Sequence, residues 1–332
     1  MKWRGLRVFG LLVVMVATAI ASLAIGPVRL PAREIARVLI GGSGGAGLNA
    51  EAIVWELRLP RVALATIVGM GLGAAGAAYQ GLFRNPLADP FVIGASSGSA
   101  LGATLVIVCA GNAEAAGFGA VPLGGFIGAL AAAAIVYFST AWWGRMPLVG
   151  LLLAGSAVSS CLGGLVWLLM VLHDEDLARI VAWLMGSLAG RGWTAVAGGG
   201  LYVALGTVGL WALSRPLDAL SLGEQPARAL GLPLKMVSGA VVAAASLATA
   251  AAVAVAGVIG FVGLVAPHLA RACVGARHRF LIPASGLIGA ILLLAADALA
   301  RTLASPIELP VGVLTAILGG PFFLAVMGMR AR

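Results

Sequence analysis

Charge is what this sequence has least of. Acidic and basic side chains make up 10% of the 332 residues, while 61% are apolar; soluble domains carry about 25% charged residues. A soluble chain this long can build one large core, but it needs far more polar surface to cover it. Hydrocarbon as solvent removes that need. Lysine is almost missing: Lys2 and Lys235 are the only two. Neither follows a glycine-rich run, which excludes a Gly-Lys-Ser/Thr phosphate loop and hence a nucleotide motor in this chain. The three cysteines, Cys109, Cys161 and Cys273, lie in apolar stretches without metal-ligand spacing and read as small core residues. His173 and His278 fall in predicted loops, and His268 follows Pro267 near a span end. No cluster of His, Cys, Asp or Glu suggests a metal, a cofactor or a catalytic constellation, so the chain is not expected to be an enzyme. The net charge of +9 is scattered over short loops, which argues against nucleic acid as a partner.

Apolar length, by contrast, is plentiful. Runs of roughly 18 to 25 residues between the sparse charges suffice to cross ~30 Å of hydrocarbon at 1.5 Å per residue. The 48 glycines suit close helix packing in lipid, where small residues let backbones approach. The runs predict an all-α, polytopic protein with ten spans: 6–25, 61–83, 92–110, 120–142, 147–171, 193–213, 235–256, 258–275, 280–301 and 311–330. The first follows Lys2, Arg4 and Arg7 and is longer than a signal-peptide core of ~7 to 15 residues, so it is expected to be retained. The eighth is interrupted by Gly257, Gly260, Gly263 and Pro267. A break there is tolerable only where the freed backbone groups face protein or a cavity.

Lysine and arginine set the orientation. With the N-terminus inside, thirteen of the 21 fall on inner segments, Arg145 and Arg332 among them. Five of the eight outer ones, including Arg29, flank one long outer loop, 26–60. Both termini are therefore expected in the cytoplasm. That outer loop is expected to hold a short helix around 31–40 and a flexible Gly-Gly-Ser-Gly-Gly stretch at 41–45. The longest inner loop is 214–234, and the whole chain reads as one transmembrane domain.

Three stretches carry motifs. The inner loop contains Leu222-Gly223-Glu224-Gln225-Pro226-Ala227-Arg228-Ala229-Leu230-Gly231. Glu224 and Arg228 have i,i+4 spacing, Leu222, Ala229 and Leu230 can form an apolar face, and Gly231 is a natural helix stop. Such a helix either merely joins two spans or lies in a partner's groove. Arg58-Leu59-Pro60-Arg61 leads into a glycine-rich span (Gly69, Gly71, Gly73, Gly76) that ends at Arg84-Asn85-Pro86-Leu87-Ala88-Asp89-Pro90. The prolines there force an ordered break between spans. Asp297 is the one carboxylate deep in a span, where a lone charge costs roughly 3 kcal/mol. Arg301, one turn on, is its expected partner in a structural ion pair; a proton relay is the other reading.

Together these stretches resemble the FecCD-type (BtuC-like) permeases of ATP-binding-cassette importers, which carry ferric siderophores, haem or cobalamin. The resemblance covers most of the chain and is strongest over 58–102 (RLPR…GLFRNPLADP…GASSGSALG), 222–231, 257–279 and 281–324. It implies a BtuC-like fold of ten spans in the bacterial inner membrane, paired as a homodimer around a central path by which the cargo crosses through alternating access. It also implies two separate ATP-binding subunits beneath and a periplasmic substrate-binding protein above. By this likeness Leu222, Gly223, Glu224, Ala227, Arg228 and Gly231 couple to the ATPases. Arg58, Arg61 and Arg301 would meet carboxylates of the binding protein; snorkelling anchors at the lipid surface are the alternative. The segments 112–118 and 172–180 point to no one cargo. An ion-coupled secondary transporter is the rival class, but of the midplane charges and broken helices it calls for, only Asp297 and 257–267 fit.

Overall fold

The computed structural model of the chain describes residues 2–26, 28, 30–41, 48–110, 119–142 and 148–330. Arg29, Arg145, Arg332, most of the 41–45 stretch and the segment 112–118 lie outside the described residues. All regular structure among the described residues is helical. The first stretch gives α1 (Lys2–Ala24), α2 (Ala32–Ile40), α3 (Leu48–Ala52) and α4 (Leu59–Leu82). Then come α5 (Ala95–Ala110), α6 (Ala120–Trp142), α7 (Leu148–Leu172), α8 (Leu177–Leu184) and α9 (Trp193–Ala212). The remainder is α10 (Ser214–Ser221), α11 (Glu224–Ala229), α12 (Leu234–Ala256), α13 (Val262–Val274), α14 (His278–Ala300) and α15 (Val311–Arg330).

Ten of these helices coincide with the ten apolar runs. Seven are long and apolar enough to cross a membrane; α5, α13 and α15 supply shorter apolar stretches, Ala95–Cys109, Val262–Val274 and Val311–Ala325. At 1.5 Å per residue, a helix the length of α13 reaches only about 20 Å. Its neighbour α12 stops at Ala256, and residues 257–261 are not helical. The last carbonyl of α12, left free by this break, is taken up by protein, and a neighbouring main-chain bond ties the same region. The Ser187 N–H donates to the Ala256 carbonyl at 2.8 Å, and the Gly312 N–H donates to the Gly186 carbonyl at 3.3 Å. Gly186, Gly257 and Gly312 pack so closely that a Cβ on any of them would strike main-chain atoms of the others' segments.

The centre of the bundle is α4, α12 and α14, whereas α1 and α7 lie at its rim. The antiparallel pair α4 and α14 makes the most extensive contact between helices. Glycines on α4 make this possible: a Cβ on Gly69 or Gly73 would collide with the carbonyls of Gly289 and Ser285 on α14, and one on Gly76 with the carbonyl of Gly263 on α13. Water drives no apolar association inside a bilayer, so backbone approach of this kind and its dispersion contacts supply the packing.

Three expectations need correction. The cysteines are not core residues: Cys109 and Cys161 are exposed and Cys273 is half-buried. The segment 26–60 is less loop than expected: besides α2, residues 48–58 are helical and run into α4, giving one 33-residue helix, Ala50–Leu82. A π-helical turn, Ile53–Arg58, precedes Pro60, with the Leu59 N–H reaching back five residues to the Val54 carbonyl. The widened turn accommodates the proline, which has no N–H to continue an ordinary ladder. His278, expected in a loop, is instead the buried first residue of α14. The break after α4 is ordered as expected. The Asn85 side chain accepts the Leu87 N–H at 3.0 Å, and the Asp89 carboxylate accepts the Phe91 N–H at 2.9 Å, starting the short turn Pro90–Ile93.

Candidate functional site

The inner loop 214–234 holds two short helices, α10 and α11, joined at Leu222-Gly223, where the sequence predicted one. Leu217 and Leu220 of α10 are buried in the core, as is Ala227 of α11, and these anchor the element to the bundle. After Leu230, Gly231 takes a left-handed conformation with φ 75°. Its N–H donates to the Arg228 carbonyl at 2.8 Å, and the Leu232 N–H donates to the Ala227 carbonyl at 3.2 Å. This is the Schellman arrangement, which satisfies the last carbonyls of the helix and in which only glycine avoids a Cβ penalty. The expected Glu224–Arg228 ion pair does not form among the described residues. Each residue instead sits at the end of α11 that its charge favours, Glu224 in the first turn and Arg228 in the last. The expected apolar face is turned outward. Leu222 is 72% exposed and Leu230 68% exposed, one on either side of α11.

α10 is tied to the bundle by polar bonds as well. One oxygen of Asp218 accepts both the His278 backbone N–H, at 2.8 Å, and the His278 Nδ1, at 2.7 Å. Nothing local in the sequence announced this pair, because its members lie 60 positions apart.

At the opposite end of α4 and α14 the structure brings Arg58, Arg61, Asp297 and Arg301 together. Asp297 is fully buried, but it is not held by Arg301 alone. Arg61 Nε donates to its two oxygens at 2.9 and 3.2 Å, and Arg301 Nε lies 3.1 Å from Oδ2. Two guanidinium groups thus compensate one buried carboxylate; removing a member of such a set costs about 3–5 kcal/mol. Arg61 Nη1 also donates to Glu308 at 2.7 Å. Glu308 was not singled out from the sequence.

Arg58 and Arg301 are buried and point away from solvent. Arg58 donates to the carbonyls of Leu23 and Val28. Arg301 donates to the Ile25 carbonyl at 2.6 Å, the Ser22 hydroxyl at 2.7 Å and the Ser22 carbonyl at 3.2 Å. These acceptors lie at and just beyond the last turn of α1, where unsatisfied carbonyls and the negative end of the helix dipole favour a cation. Of the three arginines expected at a docking face, only Arg61 reaches solvent, with 12% of its side chain exposed.

A cavity of about 580 Å³ opens between α5, α7 and α8. Its lining includes Ser96, Ser97, Ser159, Trp167, Met170 and Met185. Hydroxyl, thioether and aromatic groups of this kind carry no charge. Among the described residues no three His, Cys, Asp or Glu gather to hold a metal ion.

Among the described residues, seven apolar helices of membrane-crossing length and three shorter ones, with a broken helix inside and a capped two-helix projection at one end, make a polytopic membrane protein. The model of the FecCD transport family matches residues 12–328. The chain is similar to a hemin transport system permease protein of Yersinia pestis, with 42% identity over 282 residues, 82% of each chain. It is equally similar to a cobalamin import system permease protein of Halobacterium salinarum, 42% identical over 282 residues, covering 85% of this chain and 75% of that one. A solved metal-chelate type ABC transporter in an inward-facing conformation matches with a TM-score of 0.85 and 34% identity, covering 97% of this chain and 98% of the other. The chain therefore belongs to the FecCD transport family, and so to the permeases of ATP-binding-cassette importers.

Proposed function

We propose that two copies of this chain form the membrane path of an importer for a metal chelate: haem, a ferric siderophore or cobalamin. Two ATP-binding subunits would engage 217–231 from the cytoplasm, and a substrate-binding protein would dock at the Arg61 end. The observation that carries this reading is the projecting α10–α11 element. It is anchored by Leu217, Leu220 and Ala227, capped at Gly231, and presents Leu222 and Leu230 to a partner. Exposed leucines beside charged residues suit insertion of a short helix into a partner's groove. The sequence supplies no phosphate loop, so hydrolysis belongs to a separate subunit. The excess of lysine and arginine on the segments at that end favours both termini in the cytoplasm.

The relatives that carry hemin and cobalamin are equally similar, so identity does not select the cargo. The uncharged cavity beside Ser96, Ser97 and Ser159 suits a path that passes a large rigid ligand without gripping it. At the docking end Arg61 is the residue open to a partner's carboxylate, while Arg58 and Arg301 support it by fastening α1.

The test is reconstitution in proteoliposomes with the ATP-binding subunit and the binding protein. Uptake is expected to require ATP and to vanish without the ATPase; uptake driven by an ion gradient in its absence would make the chain a secondary transporter. The absorption spectrum of the binding protein purified with its ligand identifies the chelate.

A further inference from the structure

We infer that Asp218 and His278 form a positioning tie that passes movement of the α10–α11 element into the α4–α14 helix pair. The inference rests on the coupling role proposed above for 217–231. His278 opens α14, where the first N–H groups of a helix lack partners and the dipole favours a negative charge. The local N-cap residue, Arg277, supplies no side-chain bond. The cap comes from another helix: Asp218 takes the His278 N–H and the imidazole Nδ1 on a single oxygen. A bond of this kind, with an ionised acceptor, is stronger than a neutral one.

The imidazole is then enclosed by the bundle. His278 is buried, and its second nitrogen, Nε2, has no hydrogen-bond partner. That nitrogen faces Gly81 near the end of α4, so closely that any Cβ there would overlap it. An apolar side chain of similar size would fill this slot without leaving a buried nitrogen unsatisfied, which carries a cost. Packing alone therefore does not explain histidine at 278. The Nδ1 bond to Asp218 does, since it joins α10, α14 and α4 at one point.

What lies beyond that point is stiff. Gly69 and Gly73 bring the α4 backbone against α14, and Arg61 and Asp297 fasten the same two helices at their far end. A displacement delivered at His278 thus reaches the Arg61 end through a helix pair joined along its whole length. On its other side the element ends in exposed Leu222 and Leu230, where a driving partner can push.

The experiment compares Asp218→Ala, His278→Ala and Asp218→Asn with the wild type in the reconstituted complex, with haem, a ferric siderophore and cobalamin as probes. Uptake and ATP hydrolysis are measured together, and assembly with the ATPase is checked by co-purification. His278→Ala, outside the proposed ATPase contact, is expected to assemble and hydrolyse ATP but to use roughly tenfold more ATP per molecule imported, as loss of a charge-assisted bond implies; Asp218→Ala, inside that contact, is expected to lose at least as much coupling. Asp218→Asn keeps an acceptor oxygen for both donors but not the charge, and its coupling is expected to fall between the wild type and Asp218→Ala. Unchanged coupling in His278→Ala would overturn the tie, as would failure of His278→Ala to bind the ATPase, because the pair would then only build the docking surface. Should Asp218→Ala prove too unstable to purify, His278→Ala decides, because it leaves the backbone cap intact. Uncoupling by Gly231→Ala with normal coupling at 218 and 278 would remove the tie and leave the element's role standing. A wild-type complex without ATP-driven uptake would overturn both.

Discussion

Asp89 illustrates how a single side chain can set a pH limit in a protein with few charges. It lies in the turn between α4 and α5, where its carboxylate accepts the Phe91 N–H. Burial outweighs that bond and pushes its pKa up to about 6 from 3.8. The folded protein therefore holds a proton between about pH 4 and pH 6 that the unfolded chain has released. In that window stability falls as pH rises, and above it the ionised carboxylate remains a burden. Asp89→Asn keeps an oxygen for Phe91 and has no charge to bury. Thermal unfolding in detergent is expected to show the variant matching the wild type near pH 4 and exceeding it at pH 7. Equal dependence on pH in both proteins would assign the effect elsewhere.

Among the elements, α4 is the one whose behaviour the sequence described most fully. Its apolar run, its glycines and the Asn85-Pro86 break were legible because each acts through local rules of length, bulk and backbone freedom. The same holds for Gly231, whose place after an apolar helix announces a stop. The π turn at 53–58 was not legible, since it depends on how Pro60 is accommodated within a continuous helix. Nor were the Asp218–His278 and Arg61–Glu308 bonds, whose partners are distant in the chain. The inward direction of Arg58 and Arg301 was hidden for a similar reason: only the packing of α1 supplies their carbonyl acceptors. The α4 glycines make a sharp prediction at this scale. Gly76→Ala drives a methyl group into the Gly263 carbonyl and is expected to destabilise by about 1–3 kcal/mol, the usual range for overpacking. Gly163→Ala on α7 meets no atom within 4 Å and is expected to be neutral or to stabilise by up to about 1 kcal/mol. Thermal unfolding of the two variants in one detergent provides the comparison, and equal shifts would contradict close backbone packing as the source of stability.

For the molecule as a whole, the two ends of α4 and α14 are built differently. One end carries the projecting element; the other carries a cluster in which Glu308 already occupies Arg61. Glu308 is 32% exposed and lies on the segment leading into α15. A docking partner that offers a carboxylate to Arg61 would compete with it, and where it won, docking would loosen the approach to α15. Glu308→Gln is expected to tighten binding of the substrate-binding protein to the complex in nanodiscs. Arg61→Glu is expected to weaken it by roughly tenfold or more, as loss of a close charge pair across an interface implies. Titration of labelled binding protein measures both, and unchanged affinity in the pair would move docking to another surface.

Gly186, Gly257 and Gly312 draw three distant stretches of main chain into one joint with no side chains between them. A contact made by rotatable side chains can yield locally when pushed. This one has nothing to rotate, so a shift in any limb is handed on to the other two almost undiminished. In a transport cycle that tilts the helices, such a joint would serve as a fulcrum, keeping the loop after α8, the break after α12 and the start of α15 in mutual alignment.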